Sequence, residues 1–315
     1  MLRILHTGDL HIKLRGDNVE WFIARFQDYT NFILEEDPDV IVITGDIFDK
    51  VPNVIEISTL ITFLKQLPCP TYIISGNHDF QPGKVGSKQG ADFLANIVQA
   101  INLPHIVFEP YFSVIDEFVL VSNRFIRDKK VIPIHKDKIL LSHIRHQLEF
   151  AGKIKKPEYD LSLLSDYPLV LLSDIHTTFQ YSDNIYYSSS PYRTHSKTIT
   201  NLAQIDNSFF GFNIVEDREV NHVELKLPNM YKLISEKPID TSKEKDLITT
   251  ELHLTHEELV KYDNEGVKVK MKKKNVEINI ETDMNKVIEA ILKDKYSVKE
   301  PGEYLERLHT IIGDL

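Results

Sequence analysis

Cys69 is the sole cysteine in a chain of 315 residues. An internal disulfide is excluded, and the expected setting is a reducing, intracellular one. The thiol lies between prolines in Leu67-Pro68-Cys69-Pro70, with no sulfur or imidazole partner nearby, and reads as structural. No segment approaches the roughly 18 uninterrupted apolar residues of a membrane-crossing helix. The first residues enter a strand pattern at once and lack a signal peptide's long apolar stretch and cleavage site, so a cytoplasmic location is expected. A basic surplus is missing too. Lys and Arg number 37 against 47 Asp and Glu, a formal charge of −10. That argues against a general nucleic-acid coat protein, which has to be basic. It leaves open a protein that handles anions through bound cations, because those bring their own charge into the site. No internal repeat is present.

What is there is ordinary globular composition, 42% hydrophobic, enough for one large domain and a smaller one. Three phrases then stand out: Asp9-Leu10-His11, Gly45-Asp46-Ile47-Phe48-Asp49 and Gly76-Asn77-His78-Asp79. Each follows a short apolar, β-branched run: Leu2–Leu5, Val40–Ile43 and Tyr72–Ile74. Helical patterns lie between them over Val19–Glu36 and Ile55–Gln66, and another follows over Ala91–Ala100. The Gly- and Lys-rich stretch Phe80–Gly90 reads as a mobile surface loop. This βαβαβ opening predicts parallel strands buried on both faces.

The middle of the chain predicts short strands at His105–Phe108, Tyr111–Ile115, Phe118–Val121, Val131–Ile134, Lys138–Ser142, Leu169–Ser173, Ile185–Ser188, Ser208–Ile214 and His222–Leu227. Few helical patterns separate them. Two stacked sheets with helices outside accommodate both halves. The texture changes near Leu227-Pro228, and a domain boundary is expected at 230–240. Beyond it come a helix candidate at Thr255–Lys261, the alternating run Val267–Ile280, a helix at Met284–Lys293 and an amphipathic stretch at Pro301–Leu315.

Three strand ends in such a sheet deliver Asp, His and Asn side chains to one crevice. Mixed oxygen and imidazole donors suit Mn, Zn or Fe better than Ca or Mg alone. A dinuclear centre needs a carboxylate shared by both ions, and Asp46 is placed for that role. Asp9 and His11 address one ion, and Asn77 offers an amide oxygen to the other. His78 is left free to protonate a leaving oxygen. Two further apolar strands end in donors: Ile139-Leu140-Leu141-Ser142-His143 and Leu169-Val170-Leu171-Leu172-Ser173-Asp174-Ile175-His176. His143, Asp174 and His176 complete the set. His146 ranks below His143 because it falls in the following loop. His6, inside the first strand, reads as structural, and His195 as a weaker substrate contact. Lys13, Arg15, Lys84, Lys88 and Arg193 sit on loops that rim the centre and could hold phosphates. The lysine-rich strand Lys268–Lys274 reads equally as a charge-protected edge or a phosphate-tracking face.

These motifs resemble those of the calcineurin-like metallophosphoesterases. Within them the likeness is greatest to the SbcD/Mre-type recombination nucleases, including bacteriophage subunits. The second motif reads Gly-Asp-Ile-Phe-Asp, and Ser189-Ser190-Pro191-Tyr192 is similar to the Gly-Ser-Pro segment after that family's last metal motif. The resemblance implies an α/β fold: a two-sheet β-sandwich flanked by helices over 1–232, a small α/β cap over 233–295, and a C-terminal helix over 296–315 that docks a partner. It implies two Mn ions, with Mg or another divalent ion as substitutes. One ion falls to Asp9, His11, Asp46 and His176; the other to Asp46, Asn77, His143 and Asp174. His78 is then the catalytic histidine, with Asp49 orienting it. The implied activity is 3′-to-5′ exonuclease and single-strand endonuclease action on DNA, in a homodimer within a heterotetramer with an SbcC-type coiled-coil ATPase. A phage-encoded chain would work in the host cytoplasm. One departure is plain: the family's Gly-His-x-His is here Ser173-Asp174-Ile175-His176, which adds a negative charge. A small-molecule or cyclic-nucleotide phosphodiesterase, or a scaffold that has lost one metal, are the competing expectations.

Overall fold

The computed structural model describes residues 2–14, 19–81, 91–146, 148–150, 153–192, 194, 197–199, 210–227, 230–235 and 247–252. They fall in one compact unit, Met1–Leu254. The second unit, Thr255–Leu315, lies outside the described residues, as do most of the expected cap and the whole expected C-terminal helix.

The first half runs β1 (Arg3–Thr7), α1 (Val19–Glu35), β2 (Val40–Ile43), α2 (Val54–Gln66), β3 (Thr71–Ile74), β4 (Phe80–Gln81), β5 (Ala91–Asp92), α3 (Phe93–Ile101) and β6 (Ile106–Glu109). Then come β7 (Phe112–Ile115), β8 (Phe118–Val121), α4 (Asn123–Arg127), β9 (Ile139–His143), β10 (Leu148–Phe150), β11 (Lys153–Lys155), β12 (Leu169–Ser173), β13 (Phe179–Ser182) and β14 (Ile185–Tyr187). Last are β15 (Lys197–Ile199), β16 (Gly211–Glu216), β17 (Glu219–Glu224), β18 (Met230–Ser235) and β19 (Leu247–Leu252).

Two six-stranded sheets carry the architecture, in the orders β17-β16-β1-β2-β3-β6 and β13-β14-β12-β9-β8-β7. Each has four parallel strands: β1, β2, β3 and β6 in the first, and β8, β9, β12 and β14 in the second. Antiparallel strands finish the edges. The sheets face each other through Ile4, Val42 and Ile74 on one side and Leu120, Leu141 and Leu171 on the other. The outer face of the first sheet, including Leu5, Ile41 and Ile73, is covered by Phe26, Tyr29 and Ile33 of α1 and Leu60, Phe63 and Leu64 of α2. Val119, Leu140, Val170 and Leu172 pack outward under Phe125, Leu161 and Leu164. The central strands thus meet apolar surroundings on both faces, which is why their middles carry consecutive apolar residues such as Ile4-Leu5, Val40–Ile43, Leu140-Leu141 and Leu169–Leu172. This is the expected sandwich with helices outside, and its parallel strands place their C-terminal ends where loops can converge.

Some local expectations are corrected. Val131–Ile134 is not a strand: Pro133 has no N–H to give a ladder, Val131 is exposed, and the Ile132 N–H goes to the Tyr159 hydroxyl at 3.1 Å. The strand expected at His222–Leu227 starts earlier, at Glu219. A tight turn with Asp217 and Arg218 at φ 50° and 69° joins it to β16, a turn that no glycine announces. Helix α4 and edge strand β13 had no strong periodic signal. Of Phe80–Gly90, residues 80–81 pair with β5, and 82–90 lie outside the described residues.

Candidate metal centre

The first two motif loops are laced together just beyond their strands. Asp9 N–H donates to the Gly45 carbonyl at 3.0 Å, His11 N–H to Asp46 at 2.9 Å and Ile12 N–H to Ile47 at 2.7 Å. The third loop is tied in by a buried carboxylate. Asp79 accepts from Gly76 N–H at 3.0 Å, Phe48 N–H at 3.0 Å and Ile47 N–H at 3.3 Å. These loops bend sharply. Asp9, His11, Asp46, Asp174 and His176 all adopt positive φ, from 42° to 109°. For non-glycine residues such backbone costs on the order of 1–3 kcal/mol each, and it collects where surrounding contacts over-determine the loop for a functional reason. Gly45 sits at φ 93°, and a Cβ on Gly76 would run into the Asp46 backbone and carboxylate.

Seven side chains converge at these ends. His11 Nε2 lies 3.1 Å from His176 Nε2, and both lie near Asp9 Oδ1, at 3.9 and 3.8 Å. On the other side, His143 Nε2 lies 3.0 Å from Asn77 Oδ1, 3.3 Å from Asp174 Oδ1 and 3.4 Å from Asp46 Oδ2. Asp46 Oδ2 is also 3.7 Å from His11 Nε2, so one carboxylate oxygen faces both groups. Its other oxygen accepts His78 N–H at 2.8 Å. Donor atoms that share an ion through bonds of about 2.1 Å stand roughly 3.0–3.4 Å apart at right to tetrahedral angles. The second group matches this spacing, and the first is slightly wider.

The residues fit divalent ions on three counts. Asp9 Oδ1 is fully buried with no hydrogen-bond partner, an expensive state for a carboxylate oxygen unless a cation meets it. The histidines are also aimed. His143 Nδ1–H donates to the Thr44 carbonyl at 2.8 Å, and His176 Nδ1 meets Thr194 Oγ1 at 3.2 Å, so each presents Nε2 inward. Finally, burial pushes His11 down to about 3 and also lowers His176, leaving both neutral with a lone pair available. Burial pushes Asp9 up to about 7. At Asp46 and His143 burial acts against charge, but their mutual attraction outweighs it. Asp46 is held below the usual carboxylate range and His143 well above the usual imidazole range.

His78 stands apart from the donors. Its Nδ1–H donates to the Asp49 carbonyl at 2.7 Å, and its Nε2 faces Asp46 Oδ2 at 3.9 Å from a partly exposed position. The orienting contact therefore comes from the Asp49 backbone. The Asp49 carboxylate instead pairs with Lys13 at 3.2 Å and faces His11 Nδ1 at 3.9 Å. His146 lies outside the donor groups, against Phe179 and Tyr181. His6 is buried in the sandwich, bonded to Thr44 Oγ1 at 3.0 Å. Arg15, Lys84, Lys88, Arg193 and His195 lie outside the described residues.

Residues 2–207 match the sequence pattern of the calcineurin-like phosphoesterases. The chain belongs to that family. A member of the family brings divalent ions to such a donor set. A relative from Invertebrate iridescent virus 3, named "Putative phosphoesterase 078R", is 28% identical over 249 residues, covering 72% of this chain and 67% of its own. Among solved structures, TT1561 of Thermus thermophilus has 13% identity and a TM-score of 0.41, with 71% of this chain and 98% of that one covered. The purple acid phosphatase PPD1 from yellow lupin (Lupinus luteus) seeds has 13% identity and a TM-score of 0.38, with 70% and 52% covered.

Several residues of this phosphoesterase support the donors in ways that their sequence positions do not announce. Asp79 belonged to a motif, but its clamp on two loops needs the third dimension. Thr44, just past β2 of the first sheet, directs His143 of the second. Asn123, from unforeseen helix α4, donates to the His143 carbonyl at 3.1 Å. Tyr192 donates its hydroxyl to the Leu10 carbonyl at 2.7 Å, between the first two donors, while the Arg25 guanidinium lies 3.9 Å over its ring. The Ser-Ser-Pro-Tyr signal pointed at that residue without saying what it held.

Proposed function

We propose that this phosphoesterase is a Mn-dependent DNA nuclease subunit that hydrolyses phosphodiesters at a two-ion centre. One observation carries the hydrolytic part: Asp46 Oδ2 lies 3.7 Å from His11 Nε2 and 3.4 Å from His143 Nε2, a carboxylate shared by two donor groups. When bound, the two ions supply Lewis acidity and an activated water. The chain's own residues do the rest. Asp9, His11 and His176 hold one position; Asn77, His143 and Asp174 hold the other. His78, anchored at Nδ1 by the Asp49 carbonyl, holds a proton at Nε2 for the departing oxygen. Lys13, held by Asp49 on the rim, adds positive charge where a substrate phosphate arrives. The mixed donor set favours manganese over calcium.

The choice of DNA rests on the motif variants Gly45-Asp46-Ile47-Phe48-Asp49 and Ser189-Ser190-Pro191-Tyr192. So do 3′-to-5′ exonuclease and single-strand endonuclease action, dimerisation and the SbcC-type ATPase; a cytoplasmic location rests on the single cysteine and the absence of a signal-peptide pattern. No helix among the described residues is long and apolar enough to cross a membrane. The test uses the full chain, with Mn and labelled single- and double-stranded DNA, alone and with the ATPase. Cleavage is expected, falling roughly 10²–10⁴-fold in His78→Ala and at least as far in Asp46→Asn. Wild type cutting no better than these variants would overturn the proposal. Turnover of cyclic nucleotides without DNA cleavage would replace the substrate.

A further inference from the structure

Three rings cluster at the edge of the second sheet without belonging to the centre. His146 meets Tyr181 edge-on with centroids 4.6 Å apart, and lies nearly parallel to Phe179 (13°) at 6.3 Å. Phe179 and Tyr181 are 41% and 37% exposed, on an edge strand whose sequence, Phe-Gln-Tyr-Ser, carries no charge. Edge strands are ordinarily protected by charge or proline, so an aromatic face there needs another explanation. The pairing of β13 with β14 slips between Gln180 and Ser182, leaving Tyr181 as the extra residue of a bulge. Bulges re-aim side chains and are common beside active sites.

The connection to the centre is short. His146 is three residues past His143, and Phe179 three past His176. Three residues span at most about 11 Å. The Tyr187 hydroxyl donates to the Ile144 carbonyl at 2.9 Å, and the Tyr187 ring lies 6.1 Å from Phe179, so a buried tyrosine ties the shelf to the loop leaving His143. The rings therefore sit at the same end of the second sheet as the donors, three residues along the chain from His143 and from His176.

We infer that His146, Phe179 and Tyr181 form a stacking subsite for the base of a nucleotide next to the scissile phosphate, in single-stranded nucleic acid. This deepens the nuclease reading and rests on it. Every base has a π-face, so such a shelf grips a strand without selecting its sequence. It also favours unpaired over paired strands, because a stacked base must leave its own helix.

Binding of a short single-stranded oligonucleotide and of a fully abasic strand with the same phosphates is measured by fluorescence anisotropy on the full, metal-free chain. The base-bearing strand is expected to bind about tenfold more tightly. The pair Phe179→Ala and Tyr181→Ala should remove that preference and leave abasic binding unchanged. Phe179→Leu, which keeps apolar bulk without a ring, should weaken it. Equal binding of the two strands, undetectable binding of the base-bearing one, or a preference that survives the double substitution overturns the subsite. The readout does not depend on hydrolysis. A chain that prefers bases but cleaves nothing sinks the nuclease reading, and with it the shelf's place beside a scissile phosphate, while base stacking stands; one that cleaves both strands with equal KM sinks the subsite alone.

Discussion

At the level of single residues, the donors are fixed by partners that never touch an ion. Asp79 is the clearest case. Its carboxylate collects three backbone N–H groups from two motif loops, and burial followed by the nearby Asp46 charge pushes it up to about 7. Asp79→Asn keeps the shape but leaves only one oxygen to accept those donors. Metal affinity is expected to fall about 10–100-fold, as for other residues that orient ligands, with the fold retained by circular dichroism; titration with Mn checks both. Gly76→Ala attacks the same point sterically. Its methyl would collide with Asp46, so the shared carboxylate must move, and calorimetry should show fewer than two ions bound. Asp174 marks the departure from the family's histidine. Its Oδ1 lies 3.3 Å from His143 Nε2, within the second donor group. Asp174→His is expected to retain binding at that position while weakening the preference for hard, oxygen-seeking ions.

At the level of elements, the centre is assembled from the C-terminal ends of parallel strands in two different sheets. β1, β2 and β3 deliver the first three motifs, and β9 and β12 deliver His143 and the Asp174–His176 loop. The donors therefore depend on how the sheets pack. Leu171 is fully buried between them, with Leu141 on the neighbouring strand. Leu171→Ala is expected to cost about 2–5 kcal/mol by denaturant unfolding, through lost burial and the cavity left behind. It should also weaken metal binding, although residue 171 touches no donor. Tyr192 acts similarly from the chain's far side. Tyr192→Phe deletes the bond to the Leu10 carbonyl and leaves the Arg25 stack in place.

For the whole molecule, folding and metal binding are coupled. Ions that bind only the folded chain stabilise it by about 2.7 kcal/mol at a hundredfold excess over the dissociation constant. Chelation should lower the melting temperature of wild type, and Asp46→Asn should show little response because its shared donor is gone. Acid adds a second dependence. Burial pushes His6 down to about 3, below the roughly 6.5 of an unfolded histidine. Between those values the unfolded chain binds the extra proton. Stability from this residue is thus complete above pH 6.5 and falls by about 1.4 kcal/mol for each unit toward 3. Other buried groups titrate in the same range, so the check is a difference: metal-free His6→Gln should lose stability less steeply than wild type from pH 6.5 to 4.5. Parallel curves would refute it.

The sequence alone determined the central strands and the donor residue types. Ile4-Leu5, Val40–Ile43 and Leu169–Leu172 are apolar because both their faces are covered, and Asp9, His11, Asp46, Asn77, His143, Asp174 and His176 each stand just past such a run, where backbone leaves a sheet. Hydrophobic periodicity and strand-end position are local properties, and they can be read along a line. Only the tertiary structure decided that these seven side chains share one crevice, that Asp46 faces both donor groups, and that Asp79, Thr44 and Asn123 serve them. Those relations join residues tens of positions apart through backbone atoms that carry no sequence signature. The hairpin at Asp217-Arg218, helix α4 and the cluster of His146 with Phe179 and Tyr181 of β13 were illegible for the same reason: their conformations are imposed by what they pack against, and their own residues state little preference.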